Sequence, residues 1–412
     1  MAEKKTKIMI IGAGTYQVPL IEQAKRRGMH TIVVSPDGPY PGLKLADQVC
    51  YFDVRDEAAI LKVAKEEQID GVITDQTDIA VRTVAYVAEN MGLPGIGYET
   101  AKLFTDKIMM RDRCMELGIP TIDYKCISSY EDALEFYRSL DSNAIIKPAD
   151  NQGSRGVFKI VSEEKLKERF PETIGYSGSG RVVIERFIEG TEFEVDSIVL
   201  HNEEKTLMHA DLTPYSIPDV FASTTRLYPS VAEKKVLENL LQTNHDVITG
   251  FGLKQGVTHS EYIMDHRGVI YLIEAAARGG GTYISSHIAE LQTGVDVNNF
   301  LLDIALGSRK ELPEFETGKC ACGYVTFYLP EGTVKAVDGV EEIRSMDSVC
   351  KDAFDDIYVG LKTEHFEDKT SRYAVILKAV DRDALMEEIS AVKDKLRIQI
   401  ETKDGIKGPV WE

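Results

Sequence analysis

The feature that most restricts the fold is a regular alternation of short apolar runs and amphipathic runs over residues 7–98. The apolar runs have the composition of buried strands, and in chain order they are KIMII, TIVVS, QVCYFD and DGVITD. The amphipathic runs have helical periodicity, and they are VPLIEQAKRRG, EAAILKVAKEEQ and DIAVRTVAYVAENMG. Because strands that alternate with helices form parallel sheets with crossover helices, this region is predicted to be an α/β domain.

The first strand runs into a glycine turn, GAGTYQ, at residues 12–17. Gly12 and Gly14 match the first two glycines of the dinucleotide-binding fingerprint, and Asp37 follows at a suitable distance. The third glycine of the fingerprint is replaced by Gln17, whose long side chain breaks the element that closes the pattern. We therefore interpret the turn as a structural strand-to-helix connection. A nicotinamide oxidoreductase that uses residues 8–37 stays an alternative.

Length and charge limit the class of protein. A chain of 412 residues is expected to form two to four packed units. The formal net charge of −19 disfavours nucleic-acid and membrane partners but does not exclude small anionic ligands. No segment approaches the ~18–20 apolar residues that a membrane span requires. The first apolar run is interrupted by Gly12 and is too short for a signal peptide, so we expect a cytoplasmic protein.

The six cysteines contain no CxxC motif. The close pair in CAC, residues 320–322, alternates along a predicted strand, which places both thiols on the same side. Zinc sites usually need a second such pair or additional histidines, and the spacing is not CxxC, so the pattern predicts neither a metal site nor a redox role. Scattered cysteines in a long chain are typical of reduced thiols in the cytoplasm.

The remainder of the chain has a different pattern of predicted strands and helices. The segment NAIIKPADNQGSRGVFKIV predicts two apolar strands joined by a glycine-rich hairpin, and antiparallel strands follow from residue 192. A long helix is predicted near 231–250, followed by a strand pair around the turn HRG. Further strands at 319–329 and 373–380, with the helix DRDALMEEISAVKDKL, predict a small α+β unit at the end.

Residues suited to binding phosphate and a cation occur in the middle of the chain. The loop 150–156 offers small residues and backbone N–H groups, and Lys147 ends the strand before it. Glu261 and Glu274 lie on neighbouring apolar strands, where a carboxylate must be paired, protonated or bound to a cation such as Mg²⁺. Arg278, four residues after Glu274, can bind a phosphate or carboxylate through two parallel hydrogen bonds.

Four segments resemble the ATP-grasp family in order, spacing and residue type: FTDKIMMRDRCMELGIP, KPADNQGSRGV, VVIERFIEGTEFEVD and THSEYIMDHRGVIYLIEAAARGGG. The resemblance covers roughly residues 1–310. It implies α/β and α+β architecture: an ATP-grasp fold with an N-terminal Rossmann-like domain that does not bind a dinucleotide. The implied domains are a Rossmann-like domain (1–105), a small lobe with a phosphate lid (106–188), a large lobe with the metal and acceptor site (189–312) and a C-terminal α+β unit (313–412).

The resemblance also implies which residues bind ATP. They are the phosphate-contacting Lys107 and Lys147, the lid over 151–156 with Gly153, Ser154, Arg155 and Gly156, the adenine-binding Glu185, Arg186, Phe187 and Ile188, and the ribose-binding Glu192. Glu261 and Glu274 would hold Mg²⁺, or Mn²⁺ in its place. The implied catalytic residues are Arg278, Lys147 and His259. The implied substrate-binding residues are His259, Arg278, Gly279 and Gly280. Arg226, in the long connection after the antiparallel strands, is the basic residue that we expect to meet a substrate carboxylate, with a surface arginine as the alternative.

The sequence departs from the family pattern at one metal position. Many members read E-x-N-x-R, whereas the segment EAAAR has Ala276 where the asparagine would be a further metal ligand. We expect one of two metals to be held more weakly there, or through water. Both acids and the arginine are present, so activity is still expected.

The activity implied is that of an ATP-dependent, ADP-forming ligase. It activates a carboxylate as an acyl-phosphate and joins it to an amine, with an amino acid as a substrate. The implied partners are small molecules, ATP and Mg²⁺, with neither nucleic acid nor membrane, and a homodimer is an option. Two alternatives use the same fold, namely synthesis of a carbamoyl or formyl phosphate from bicarbonate or formate, and non-catalytic ATP binding. The identity of the carboxylate and of the amine stays open.

Overall fold

The computed structural model describes residues 5–151, 153–364 and 371–412. The chain folds into two units, each assembled from three stretches of sequence. Unit 1 consists of Met1–Thr121, Glu194–Met208 and Glu233–Glu316, and unit 2 consists of Ile122–Phe193, His209–Ala232 and Thr317–Glu412. The four domains expected from the sequence have other boundaries than these two units, and they stay predictions.

Unit 1 begins with the predicted parallel sheet. Its strands are β1 (Lys7–Ile11), β2 (His30–Ser35), β3 (Gln48–Tyr51) and β4 (Gly71–Ile73), in the order β3-β2-β1-β4. Every neighbouring pair is parallel, as predicted. The crossover helices are α1 (Val18–Arg26), α2 (Glu57–Glu67) and α3 (Val81–Met91). The chain leaves β1 toward β2 and later returns to place β4 on the other side of β1, which creates a crevice at the carboxyl ends of these two strands.

Two further helices complete this stretch, α4 (Tyr98–Leu103) and α5 (Lys107–Glu116). The side chain of Asp106 caps α5 by accepting hydrogen bonds from the backbone N–H groups of Ile108 and Met109, at 3.0 and 3.2 Å. Lys107 is therefore fixed in the first turn of the helix.

Unit 2 begins with an antiparallel sheet in the order β5-β8-β6-β7, covered by two helices. Its elements are β5 (Tyr124–Ile127), α6 (Tyr130–Ser139), β6 (Ala144–Pro148), β7 (Phe158–Ile160), α7 (Glu163–Gly175) and β8 (Val182–Arg186). The predicted hairpin in the glycine-rich segment is confirmed as β6 and β7, because Ile145 lies opposite Lys159 in an antiparallel register. Ile146 and Ile184 are fully buried beneath the helices.

The chain then passes between the two units along strands β9 (Gly190–Leu200) and β10 (Glu203–Pro214). Next come β11 (Ser223–Tyr228) in unit 2, and α8 (Lys234–Gly250), β12 (Gln255–Asp265), β13 (Ile270–Ala276), α9 (Ala289–Thr293) and α10 (Val297–Ala305) in unit 1. The pair β12–β13 is the predicted hairpin. Its turn is closed by Asp265, which accepts hydrogen bonds from the backbone N–H groups of Arg267 and Val269 at 2.9 and 3.0 Å.

The last stretch of unit 2 contains β14 (Ala321–Phe327), β15 (Gly332–Asp338), α11 (Val340–Arg344), β16 (Val349–Asp352), β17 (Lys362–Thr363), β18 (Tyr373–Ala379), α12 (Arg382–Lys395), β19 (Arg397–Thr402) and β20 (Gly405–Lys407). The predicted α+β character is confirmed, with β14 and β18 paired antiparallel. A second sheet, in the order β17-β15-β19-β20, was not predicted. Two of its strands, β17 and β20, have only two and three residues, and the other two, β15 (GTVKAVD) and β19 (RIQIET), are interrupted by polar residues, so the sheet lacks the long apolar runs that mark the other strands.

Candidate active site

A buried ion pair joins the two central strands of the sheet in unit 2. Lys147 and Glu185 are the penultimate residues of the neighbouring strands β6 and β8, and Lys147 Nζ lies 2.7 Å from Glu185 Oε2. The side chain of Glu185 is 0% exposed and that of Lys147 is 10% exposed. Because desolvating two charges is unfavourable, such a pair needs close geometry and further hydrogen bonds to be maintained. The pair holds a cation at the strand end that feeds the glycine-rich loop.

The predicted lid has the backbone of a tight loop. Gly153, Ser154 and Gly156 have positive φ angles of 73°, 64° and 71°. A Cβ atom on Gly156 would lie 2.7 Å from a ring carbon of Tyr176, so this position requires glycine. The Ser154 hydroxyl donates a 2.7 Å hydrogen bond to the carbonyl of Phe221. Gln152, within the predicted lid, lies outside the described residues.

The other predicted nucleotide-binding residues of unit 2 follow β8. Arg186 donates to Asp123 at 2.9 Å, and the backbone N–H of Phe187 donates to the carbonyl of Asn143 at 2.8 Å. The Lys159 ammonium lies 4.0 Å from the centre of the Phe187 ring. The two remaining residues differ in burial: Ile188 is buried and Glu192 is half-buried.

Arg226, predicted to meet a substrate carboxylate, is 3% exposed on β11. It lies opposite Leu212 of β10 and Tyr324 of β14. It is therefore a buried arginine and not the surface side chain that was its alternative. Its proposed role stays a prediction.

Unit 1 brings together the two predicted metal ligands. Glu261 of β12 and Glu274 of β13 are register partners, and the register shifts immediately after Glu261. Such a bulge re-aims the side chains next to it. Lys107 Nζ lies 2.8 Å from Glu274 Oε1. Burial lowers the pKa of Lys107, but attraction to Glu274 outweighs this effect, so the net pKa lies above the ordinary value and the lysine is charged.

His259 lies in a group of buried carboxylates in the same unit. Its Nδ1 is 3.0 Å from Asp196 Oδ1 and 3.5 Å from Glu194 Oε1, and its Nε2 is 3.6 Å from Glu261 Oε1. Burial lowers the pKa of His259, but the negative charges of Glu194 and Asp196 raise it by a larger amount. The net pKa of His259 is therefore above the ordinary value. The imidazolium is favoured, and it links Glu261 to the carboxylates of β9.

Arg278 forms a two-pronged ion pair with Asp78, which lies in the connection between β4 and α3. Its Nε and Nη2 donate to the two carboxylate oxygens of Asp78 at 2.9 and 2.7 Å. Both side chains are largely buried, at 13% and 16% exposure. This geometry fixes the plane of the guanidinium group. Asp78 also raises the pKa of Lys107, which indicates that the three charges act on one another.

The glycines after Arg278 allow close approach of neighbouring groups. The backbone N–H of Gly279 donates to Asp75 Oδ1 at 2.8 Å, and Ser285 Oγ donates to Asp75 Oδ2 at 2.7 Å. A Cβ atom on Gly280 would lie 2.8 Å from His259 Nδ1. The loop therefore packs directly on the histidine, and any side chain at position 280 would displace it.

The glycine turn after β1, at residues 12–17, contacts the residues that follow β4. Gln17, which breaks the dinucleotide fingerprint, is buried, and its Nε2 donates to the carbonyl of Asp75 at 2.8 Å. Gln76 has a positive φ angle of 56° and donates to the carbonyl of Tyr16 at 3.0 Å. Its side-chain oxygen accepts from the backbone N–H of Tyr283 at 3.1 Å. The turn therefore supports the residues after β4.

Four residues of this site were not predicted: Asp75, Asp78, Glu194 and Asp196. Asp75 and Asp78 directly follow β4 at the crevice where the strand order reverses, which is the place in such sheets where ligands bind. Glu194 and Asp196 alternate on the buried strand β9, and carboxylates in a buried strand need partners. Both patterns were visible in the sequence.

The position that departs from the family pattern is apolar and enclosed. Ala276 is 2% exposed and lies opposite His259 in the β12–β13 register. An alanine offers no oxygen to a cation. The oxygen donors beside it are the carboxylates of Glu261 and Glu274, which suit Mg²⁺.

Comparison with known proteins defines the class. Residues 140–286 match the ATP-grasp domain family. The chain contains an ATP-grasp domain, and the predicted resemblance is confirmed. The fold is also that of a solved structure: an L-amino acid ligase from Bacillus licheniformis has a TM-score of 0.85 at 20% identity, covering 97% of this chain and 100% of that one.

Two of the similar proteins come from Bacillus subtilis. An L-arginine-specific L-amino acid ligase is 24% identical over 72% of this chain and 71% of its own length. An alanine–anticapsin ligase is 26% identical over 62% of this chain and 58% of its own length, so the chain spans little more than half of that relative. Within the described residues, no helix has the length and apolarity needed to cross a membrane.

Proposed function

We propose that this chain is an ATP-dependent, ADP-forming ligase that joins a carboxylate to an amine, with an amino acid as one substrate. The observation that carries the proposal is the arrangement in unit 1: Glu261 beside Glu274, Lys107 on Glu274, and Arg278 four residues further on. The amino acid ligases among the similar proteins support this choice of substrate class.

The proposed reaction has two steps. Transfer of the γ-phosphoryl group to a carboxylate converts a poor leaving group into a good one, and the amine then displaces phosphate. Such catalysis depends mainly on positioning and on neutralising negative charge. Lys107 and Lys147 supply positive charge for the phosphates, and Arg278 orients the transferred group. Loop 151–156 excludes water, which would otherwise hydrolyse the acyl-phosphate.

The cation is proposed to be Mg²⁺, with Mn²⁺ as a substitute, held by Glu261 and Glu274. Carboxylate oxygens are the protein ligands that Mg²⁺ uses together with nucleotide phosphates. When bound, it neutralises phosphate charge. The chain's own contribution is to hold the two carboxylates in register and to keep Glu261 in place through His259. We further propose a cytoplasmic protein whose partners are small molecules.

The direct test is release of ADP and phosphate from Mg-ATP with pools of amino acids, and with bicarbonate or formate plus an amine in separate reactions. We expect turnover that requires amino acids, with a new amide product detected by mass spectrometry. Turnover only with bicarbonate or formate would replace the proposal with a carbamoyl- or formyl-phosphate enzyme. Binding of ATP without turnover in any pool, including other carboxylates, would contradict a ligase.

The contact between Asp78 and Arg278 gives a specific prediction. Asp78→Asn removes the charge that fixes the guanidinium plane but leaves one oxygen acceptor. We expect kcat to fall about tenfold to a hundredfold, since small misplacements of a catalytic group have effects of this size. The KM for ATP should change little, because Asp78 is not among the proposed nucleotide-binding residues. Steady-state ADP formation measures both constants.

The matched control is Asp303→Asn, which breaks the 2.8 Å ion pair of Asp303 with Arg27 on the same unit. It should leave kcat unchanged. Asp78→Glu should recover part of the loss, because it restores the charge. An unchanged kcat in Asp78→Asn would show that Asp78 does not position Arg278.

A further inference from the structure

A pair of thiols in unit 2 takes no part in the proposed reaction. Cys320 lies in a bend just before β14, and Cys322 is the second residue of that strand. Their side chains are hydrogen-bonded to each other. Cys322 is 0% exposed, whereas Cys320 is half-buried. Small reagents therefore reach Cys320, and Cys322 is reached mainly by the sulfur of Cys320.

The surroundings of this pair are cationic. Cys322 lies opposite Lys378 in the β14–β18 register. The strand on the other side of β18 is β16, which carries Cys350, and Arg382 of α12 acts electrostatically on Cys322. Cys320 is influenced by the thiols of Cys322 and Cys350 and by the ammonium of Lys378.

These neighbours change the acidity of Cys320. The hydrogen bond from Cys322 stabilises the thiolate, burial opposes it and Lys378 favours it, so that the pKa of Cys320 falls to about 7. The pKa of Cys350 is raised, chiefly by burial. Because the thiolate is the nucleophile, Cys320 has the character of a reactive thiol at neutral pH, whereas Cys350 has not.

We propose that Cys320 is a peroxide-reactive thiol and that Cys322 resolves its oxidised form into a reversible disulfide. Two residues apart on an extended strand, the Cα atoms are separated by about 6.6 Å, which is near the upper end of the range that a disulfide spans. Cys320 precedes β14 and so lies outside the regular strand, where its backbone is not held by the strand register. The sequence pattern alone did not predict this redox role for the CAC motif.

The chemistry balances with hydrogen peroxide as the oxidant. The Cys320 thiolate attacks a peroxide oxygen, an S–O bond forms, the O–O bond breaks, and the leaving hydroxide takes a proton to become water. Sulfur loses two electrons and the peroxide gains them. The Cys322 thiol then attacks the sulfenic acid, an S–S bond forms, and the S–O bond breaks with release of a second water.

The disulfide would form beside a strand of the candidate site. Cys322 lies opposite Tyr228 of β11, two residues from Arg226. Oxidation would therefore alter the strand that carries Arg226 and slow the ligase. This consequence rests on the proposed function, whereas the thiol chemistry does not.

The first test measures alkylation of the full chain by iodoacetamide across pH, with each cysteine quantified by peptide mass spectrometry. Cys126 is the matched control, because it is exposed and lies in the same unit. We expect half-maximal alkylation of Cys320 near pH 7, at a lower pH than an ordinary exposed thiol requires. A midpoint for Cys320 above pH 8 would overturn the proposal.

The second test is treatment with hydrogen peroxide. Trypsin releases both thiols in one peptide, since Lys319 precedes Cys320 and the next lysine is Lys335. We expect this peptide to lose two hydrogens and to regain them with dithiothreitol. In Cys322→Ser and Cys322→Ala, with thermal melting to verify folding, Cys320 should instead be trapped as a dimedone adduct. A disulfide between Cys320 and Cys350 would overturn the assignment of Cys322.

The effect of peroxide on ADP formation tests the regulatory consequence separately from the thiol chemistry. Peroxide should slow ADP formation by the wild-type chain, and Cys320→Ser should be insensitive, while Cys126→Ser should respond as the wild type does. Reversible oxidation without any change of turnover would remove the regulatory consequence and leave the thiol site. Absence of ligase turnover would contradict the proposed function alone.

Discussion

Glu274→Gln should lower kcat for ADP formation by about a thousandfold while the protein stays folded. Glutamine has the same shape and still offers an oxygen to Lys107, whose Nζ is 2.8 Å from Glu274 Oε1 in the wild type. It lacks the charge that, together with Glu261, is proposed to hold the cation. Loss of a single electrostatic group in an active site has effects of ~10²–10³. The value of kcat is measured from steady-state ADP formation at a series of Mg²⁺ concentrations.

The Mg²⁺ series distinguishes a metal ligand from a residue that only supports the fold. If Glu274 binds the cation, higher Mg²⁺ should recover part of the activity. The matched control is Glu116→Gln, an acid of the same unit in an exposed 2.8 Å pair with Arg113, and it should behave as the wild type does. Wild-type turnover in Glu274→Gln would exclude the assignment.

Lys147→Met should weaken binding of Mg-ADP by about tenfold to a hundredfold, the size of a lost charge-assisted contact. It should also reduce the free energy of unfolding by about 3–5 kcal/mol, because the fully buried Glu185 loses the lysine 2.7 Å away. Isothermal titration calorimetry and urea unfolding measure the two effects separately.

The double variant Lys147→Met/Glu185→Gln separates stability from binding. Removing both charges should recover most of the lost stability, because no charge is then left buried without its lysine. Binding of the nucleotide should stay weak. Lys125→Met, which breaks an exposed 3.2 Å pair between Lys125 of β5 and Glu135 of α6 in the same unit, is the control and should change neither quantity. Full recovery of binding in the double variant would mean that Lys147 does not contact the nucleotide.

Much of the fold followed from local pattern. The parallel sheet, the glycine-rich hairpin and the β12–β13 pair were predicted because each combines long apolar runs with turn residues, and these signals are local in the chain. The second sheet of the C-terminal stretch was not predicted, since strands such as β17 and β20 have only two and three residues. Short exposed strands carry little periodic signal.

The candidate site was predicted in part. Glu261, Glu274 and Arg278 were chosen because acids in an apolar strand and an arginine before a glycine loop are unusual, and the resemblance gave them roles. The position of Asp78 after a predicted strand was visible in the sequence, but its pairing was not, because its partner, Arg278, lies 200 residues away. A pair so distant in sequence leaves no trace in local composition. The roles of these residues stay predictions that the variants above test.

The sequence by itself determined the class of fold and the residue types available for chemistry. Apolar periodicity defines strands and helices, and a buried charge signals the need for a partner wherever it occurs. Only the tertiary structure decided which partner each charge takes: Lys107 with Glu274, Lys147 with Glu185, Asp78 with Arg278, and His259 with the carboxylates of β9. The physical reason is that electrostatic pairing depends on distance in space and on burial, and both are set when strands far apart in sequence pack together.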